Sequence, residues 1–218
     1  MARNALASHW SPLLLCPNLR TLSVVYLHGT IRPPPSLAEC PFYFQHLEHL
    51  TICGAGDIEF PRFAVWLASF ASLSKLTHFK FSTHHGVHDN AVLLLLQILA
   101  NRHASLQVLV FERLADGTCN TLHHIARMFP DLVALTLVYR ASHRQAVNKP
   151  AAWQYRAWTY AAHLAGLTHL QYFAWNNDEG GLIPSSAVLR RFGEGFCAAS
   201  ERGSPMWTTS WATGDGQR

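Results

Sequence analysis

Apolar residues recur along this chain in one short pattern: an apolar residue, two variable residues, an apolar residue, one variable residue and an apolar residue. The pattern occurs six times, at Leu19–Val24 (LRTLSV), Leu47–Ile52 (LEHLTI), Leu76–Phe81 (LTHFKF), Leu106–Phe111 (LQVLVF), Leu132–Leu137 (LVALTL) and Leu170–Trp175 (LQYFAW). The second and third apolar residues of each copy are two positions apart, so in a strand both face the same side. The pattern therefore predicts six strands, each with one apolar face.

The spacing of the copies predicts how these strands assemble. Successive copies begin 26 to 30 residues apart, except for a last interval of 38. One unit is too small to bury its apolar face, and stacking the units in chain order gives a parallel sheet over a shared core. Repeats of about this length with this pattern are typical of leucine-rich repeats. We therefore predict an α/β fold, a leucine-rich-repeat-like solenoid with parallel strands on its concave face and helices on its convex face.

The connections between the strands are predicted to be helical, because parallel strands need a crossover. Apolar residues at helical spacing predict one helix that begins at Pro61 and others over about 90–102, 121–129 and 151–165. Residues 84–89 are predicted to form a loop in which Asp89 caps the following helix. Residues 1–15 are then a lead-in, 16–200 the solenoid of about six units, and 201–218 an irregular or disordered tail.

Composition narrows the classes of function. The 218 residues are 49% apolar and only 14% charged, which suits packed repeats better than a disordered chain. Basic residues are scattered rather than clustered despite a net charge of +4, so no nucleic-acid partner is predicted. The longest apolar run, Ala91–Ala100, is too short to span a bilayer, so no membrane partner is predicted. Five cysteines without C-x-x-C spacing favour free thiols and an intracellular location, cytoplasmic or nuclear.

Three of the motifs carry a resemblance to a known family. They are Cys16–Leu22 (CPNLRTL), Phe129–Leu135 (FPDLVAL) and Leu167–Phe173 (LTHLQYF). Over residues 13–200 the chain resembles the leucine-rich-repeat region of fungal F-box-type proteins. In that family an F-box docks on an adaptor of a cullin–RING ubiquitin ligase, and the repeats recruit a substrate. No F-box start precedes the first motif, so the resemblance implies an adaptor contact only if an F-box is supplied upstream.

The outward residues of the strands are the predicted binding surface, because repeat proteins use such surfaces to bind partners. We predict a protein or peptide partner there. The predicted contact residues lie on the last five of the six predicted strands and are His49, Thr51, His78, Lys80, Val108, Val110, Glu112, Thr136, Tyr172 and Asn176.

Histidine clusters leave a different class of function open. His49 and His78 are predicted to be neighbours about 4.8 Å apart, with Cys53 close by. A second group consists of His84, His85, His88 and Asp89. Zinc needs three or more well-placed ligands and a third is not evident at the first group, while H-E-x-x-H is absent, so no metal, cofactor or catalytic residue is predicted. Trp153, Tyr155 and Trp158 are interpreted as a packing stripe rather than a stacking platform for a ligand.

The leading hypothesis from the sequence is a non-enzymatic interaction scaffold, in its most specific form the substrate-recognition part of an F-box-type ubiquitin-ligase receptor. One alternative is a truncated gene product without independent function. The other is a metal-dependent hydrolase that uses the histidine clusters.

Overall fold

The computed structural model of the chain describes residues 16, 18–25, 44–55, 59–70, 72–139, 153 and 157–175. Within these residues there are six strands: β1 (Thr21–Val25), β2 (His49–Ala55), β3 (His78–Val87), β4 (Val108–Leu114), β5 (Ala134–Tyr139) and β6 (Tyr172–Trp175). Each of the last four strands is preceded by a helix: α1 (Glu59–Ala68), α2 (Asp89–Asn101), α3 (Cys119–Met128) and α4 (Ala157–Leu164). The predicted mixed α/β class is confirmed.

The strands form one parallel sheet in chain order, from β1 to β6. The motifs also pair in the predicted register, since Leu22 lies opposite Leu50, Leu50 opposite Phe79 and Phe79 opposite Leu109. The sequence predicted this arrangement because each motif offers the same two inward positions to its neighbour. Parallel pairing in chain order is thereby confirmed.

Each junction between neighbouring units begins with the same pair of hydrogen bonds. The carbonyl oxygen of Arg20, directly before β1, accepts from the N–H groups of Glu48 and His49 at 2.8 and 2.9 Å. The same two-donor arrangement recurs at the carbonyls that directly precede the next four strands, those of Glu48, Thr77, Gln107 and Val133. The repetition seen in the sequence therefore has a counterpart in the backbone.

The core lies between the sheet and the helices. The two inward residues of each motif are buried in every strand, except that Trp175 is partly exposed. Helix residues meet them directly: the Phe63 ring stacks on Phe81 at 5.4 Å, and Tyr160 meets Trp175 edge-on at 5.5 Å. Burial of side chains this large is the main favourable term for such a fold.

Three strands, β2, β3 and β4, run further than the sequence predicted. They were predicted to end at Cys53, Ser82 and Glu112 and end at Ala55, Val87 and Leu114. The segment 84–89 was expected to be a loop, yet β3 continues to Val87. The reason is that Val87 is buried, lies opposite Leu114 and accepts a hydrogen bond from the N–H of Ala115 at 2.8 Å. A register shift and the positive φ of Gly86 and Arg113 accommodate the extra length. β2 similarly passes Gly54 and ends at Ala55.

The helices begin at other residues than predicted. α1 starts at Glu59, so Pro61 is its third residue, still within the first turn where no intrahelical N–H bond is lost. Asp89 was expected to cap α2, but the cap position is His88, which makes no side-chain capping bond. α3 starts at Cys119, and Trp153 lies outside α4. The apolar residues on nearly all sides of α2 predict a helix buried between neighbouring units. Leu94 is 41% exposed, so one side of α2 is open to solvent instead.

Trp153 belongs to the core, as the packing-stripe interpretation predicted. Its ring is 6% exposed and lies 5.2 Å from that of Trp175 and 5.3 Å from that of Tyr160. Gly117 packs so closely on it that an added Cβ would lie 2.6 Å from the ring carbon Cε3. Tyr155 and the side chain of Trp158 lie outside the described residues, as do the segments 1–15, 140–152 and 176–218.

Candidate functional site

The sheet has a second face, on the side opposite the helices. It consists of two columns of residues that lie side by side across the strands. The first column is Thr21, His49, His78, Val108, Ala134 and Tyr172, and the second is Ser23, Thr51, Lys80, Val110, Thr136 and Ala174. None of these side chains is buried, whereas the residues between them in the strands are. We call these two columns, together with Glu112, the open face.

The structure brings together nine of the ten predicted contact residues on this face. The exception is Asn176, which lies outside the described residues. The motif spacing also predicts a third outward column, and the structure shows it only partly continuous. Its predicted members are Val25, Cys53, Ser82, Glu112, Val138 and Asn176. Val25 lies opposite Cys53 and Ser82 opposite Glu112, but a register shift after Ile52 separates the two pairs.

Two histidines, His49 on β2 and His78 on β3, form a pair on the open face, which we call the histidine pair. The two residues lie directly opposite each other, and their ring centroids are 4.1 Å apart with the planes tilted by 45°. The predicted neighbourhood of these two residues is therefore confirmed. Partial burial and the adjacent His49 ring both lower the pKa of His78, with burial the larger cause.

A neighbouring hydroxyl contacts the His78 ring. Thr77 Oγ1 lies 2.8 Å from His78 Nδ1 and 3.3 Å from the carbonyl oxygen of Glu48. That carbonyl oxygen already accepts from the backbone N–H groups of Thr77 and His78 at 2.9 and 3.0 Å. One edge of the His78 ring is therefore held by a polar contact with the preceding residue.

Fixed charges on and beside the open face occur as ion pairs. Lys80 Nζ lies 2.6 Å from Glu112 Oε1, and both side chains are just over one third exposed. Arg20 and Glu48, which precede β1 and β2, form a looser and more exposed pair at 3.5 Å. Exposed pairs contribute little to stability, so their main effect here is to balance the charge of the surface.

The other half of the open face is apolar. On β4 to β6 its residues are small or β-branched and partly exposed, namely Val108, Val110, Ala134, Thr136 and Ala174. Tyr172 stands at the end of this half with 59% of its surface exposed. We call this part the apolar half, and the strands β1 to β3 with the histidine pair, Lys80 and its ion-pair partner Glu112 the polar half. Aromatic residues such as Tyr172 are enriched at protein interfaces.

A separate polar network lies where β3 and β4 end. His88 Nδ1 donates to Asp116 Oδ2 at 2.9 Å, and the N–H of Asp89 donates to the same oxygen at 3.3 Å. The Asp89 carboxylate accepts from the hydroxyls of Thr118 and Thr121. Instead of capping α2, Asp89 thus ties that helix to the start of α3. Sequence reasoning missed Asp116, although the carboxyl ends of neighbouring parallel strands meet at one edge of a sheet.

Histidine, cysteine and acidic side chains are the candidate metal ligands in the part of the chain that the structure describes. No group of three or more His, Cys, Asp or Glu side chains there is arranged to hold a metal ion. Cys53 is partly exposed but lies four residues beyond His49 on β2, about 13 Å along the strand, so its predicted closeness to the histidine pair is wrong. The side chains of His84 and His85 lie outside what the structure describes. Burial raises the pKa of the Cys119 thiol, which keeps that group in its unreactive protonated form.

Two further observations concern the membrane and the comparison with known proteins. Among the helices of the described residues, none is both long and apolar enough to cross a membrane. No family model, no curated protein and no solved structure matches this chain.

Proposed function

We propose that this protein is a non-enzymatic interaction scaffold whose open face binds a protein or peptide partner. One observation carries the proposal: two continuous columns of unburied side chains lie in register across six strands, above a fully packed core. A surface of this kind holds its side chains in fixed positions, so little conformational entropy is lost when a partner binds.

The dimensions of the open face favour a polypeptide. Six parallel strands span about 24 Å from β1 to β6, at about 4.8 Å per step. An extended segment of about seven residues covers that distance. A small molecule is normally enclosed by the walls of a pocket, which an exposed sheet surface does not supply. A folded partner that reaches beyond the two columns can bury the roughly 800 Å² per side that stable complexes need.

In its specific form, the proposal is that the units continue as a leucine-rich-repeat-like solenoid with the open face concave and the helices convex. The repeated motif spacing, the parallel order and the identical junction hydrogen bonds support this form. The resemblance to fungal F-box-type proteins extends it to substrate recognition for a ubiquitin ligase in the cytoplasm or nucleus. Binding to the ligase adaptor then depends on an F-box supplied upstream.

A quantitative pull-down from cell extract tests the position of the interface. The tagged wild-type protein is compared with a variant that carries His78→Ala, Lys80→Ala and Glu112→Ala on the open face. The matched control carries Asn120→Ala, His123→Ala and Arg127→Ala, three exposed positions on the outer side of α3. Circular dichroism establishes that both variants are folded.

The expected result is that partners captured by the wild type are lost with the open-face variant and retained with the α3 variant. Retention by the open-face variant together with loss by the α3 variant would place the interface on the helices and contradict the proposal.

A further inference from the structure

The charge of the polar half depends on the protonation of the histidine pair. The charged residues nearest the pair along the strands β1 to β3 and on β4 are Arg20 and Glu48, directly before β1 and β2, and Lys80 and Glu112. They form two ion pairs, so their fixed charges cancel within a few ångströms. With the histidine pair neutral, the polar half therefore has no net charge, and each proton bound by the pair adds one uncompensated positive charge.

We propose that the open face binds an extended acidic segment of a partner protein, with a carboxylate of that segment on the histidine pair. Small apolar side chains of the same segment lie on the apolar half. This inference rests on the proposed function and adds the chemistry of the partner and its control by pH.

The geometry of the pair is the reason for a carboxylate. Two imidazole rings with centroids 4.1 Å apart repel each other when both carry a proton. A carboxylate that accepts from the protonated rings offsets that repulsion and is a strong, charge-assisted acceptor. Binding of the segment and binding of protons therefore favour each other, and affinity has to rise as the pH falls.

The apolar half sets a second requirement for the sequence of the bound segment. Val108, Val110 and Ala134 have side chains without charge or strong hydrogen-bonding groups. Val108 lies directly opposite His78 on β3. Successive residues of an extended chain face opposite sides, so a segment that alternates acidic and small apolar residues meets the sheet with one kind only. A segment with an acidic residue beside two or three consecutive small apolar ones can reach both halves.

The test uses a fluorescein-labelled peptide of about eight residues that contains two Glu residues followed by a run of Val and Ala. The control peptide has Gln in place of each Glu. Dissociation constants are measured by fluorescence anisotropy at about pH 5.5 and about pH 7.5, on either side of the ordinary imidazole pKa. The protein is used as the full chain.

We expect the Glu peptide to bind at least about tenfold more tightly at the lower pH, the factor that corresponds to one unit of pKa change in the pair. The Gln peptide is expected to show no such increase. The double variant His49→Gln, His78→Gln is expected to lose the increase, whereas His46→Gln, His169→Gln keeps it, because these two exposed residues lie in turns before β2 and β6.

Three results would overturn the inference: an affinity for the Glu peptide that does not change with pH, an equal gain for the Gln peptide, or a gain that survives in the His49→Gln, His78→Gln variant. None of these results bears on the proposed function, which fails if partners are retained by the open-face variant and lost with the α3 variant. The two proposals can thus fail separately.

Discussion

Truncation of Leu109 tests the register on which both the core and the open face depend. Leu109 is fully buried on β4, where it lies opposite Phe79 of β3 and Leu135 of β5. Leu109→Ala removes the equivalent of about three methylene groups, a transfer loss of ~2.4 kcal/mol at ~0.8 kcal/mol each. Because large side chains on both neighbouring strands limit collapse, a residual cavity of about 50–100 Å³ adds ~1.2–2.4 kcal/mol.

We therefore expect Leu109→Ala to lower the free energy of unfolding by about 3.5–5 kcal/mol, measured by urea denaturation followed with circular dichroism. The control is Thr136→Ala on β5, a partly exposed residue of the open face, which we expect to change that free energy by less than about 1 kcal/mol. Thr136 lies opposite Val110, the residue next to Leu109 on β4. A loss in Thr136→Ala as large as in Leu109→Ala would refute the assignment of the two faces.

Three further predictions follow from particular contacts. Gly117→Ala is expected to destabilise the protein by about 1–3 kcal/mol, because the new Cβ would lie 2.6 Å from the buried ring of Trp153. Asp89→Ala is expected to lower the free energy of unfolding by about 1–3 kcal/mol, since the nearly buried Thr121 hydroxyl, which donates to Asp89 at 2.7 Å, loses its acceptor. Acidification is expected to destabilise the fold through His78: its pKa is lowered in the folded state, so stability is complete above about pH 6.5 and falls as the pH drops through the lowered value. Urea melts at several pH values should show a smaller decrease in His78→Gln than in the wild type.

Each of these has a control that the chain supplies. Gly166→Ala places a Cβ 3.6 Å from that of Ala126, an ordinary contact, and is expected to change stability by less than about 0.5 kcal/mol. Asp131→Ala removes an exposed carboxylate and is expected to do the same. If Gly166→Ala destabilises as much as Gly117→Ala, or Asp131→Ala as much as Asp89→Ala, the contacts named for the two test residues are not the cause. A pH profile of His78→Gln identical to that of the wild type would contradict the role given to His78.

The sequence was sufficient to predict the sheet and the open face because both follow from positions two residues apart in a repeated motif. The same spacing places His49 and His78 side by side, as the pairing of β2 with β3 confirms. The extension of β3 to Val87 was not predictable, because its polar and glycine residues resemble a turn and the bond that holds it comes from Ala115. The role of Asp89 was missed because its partners, too, are distant in sequence. Its partners lie about thirty residues further along, and a helix-capping residue reads identically in sequence.

The edge of the sheet where β3 and β4 end and the open face are two candidate places for a partner, and the structure distinguishes them. In parallel sheets covered by helices on both sides, ligands bind at the carboxyl ends of the strands, because no free face remains. Here the polar groups at that edge already satisfy one another: Asp116 accepts from His88 and from the N–H of Asp89, and Asp89 accepts from two threonine hydroxyls. A ligand at the edge would have to break these bonds, whereas one on the open face meets side chains that are unburied and, at the histidine pair, electrostatically unfavourable to each other once protonated. Asp89→Ala should accordingly reduce stability and leave capture of the partner at full strength, and loss of the partner in a folded Asp89→Ala protein would move the binding site to the edge.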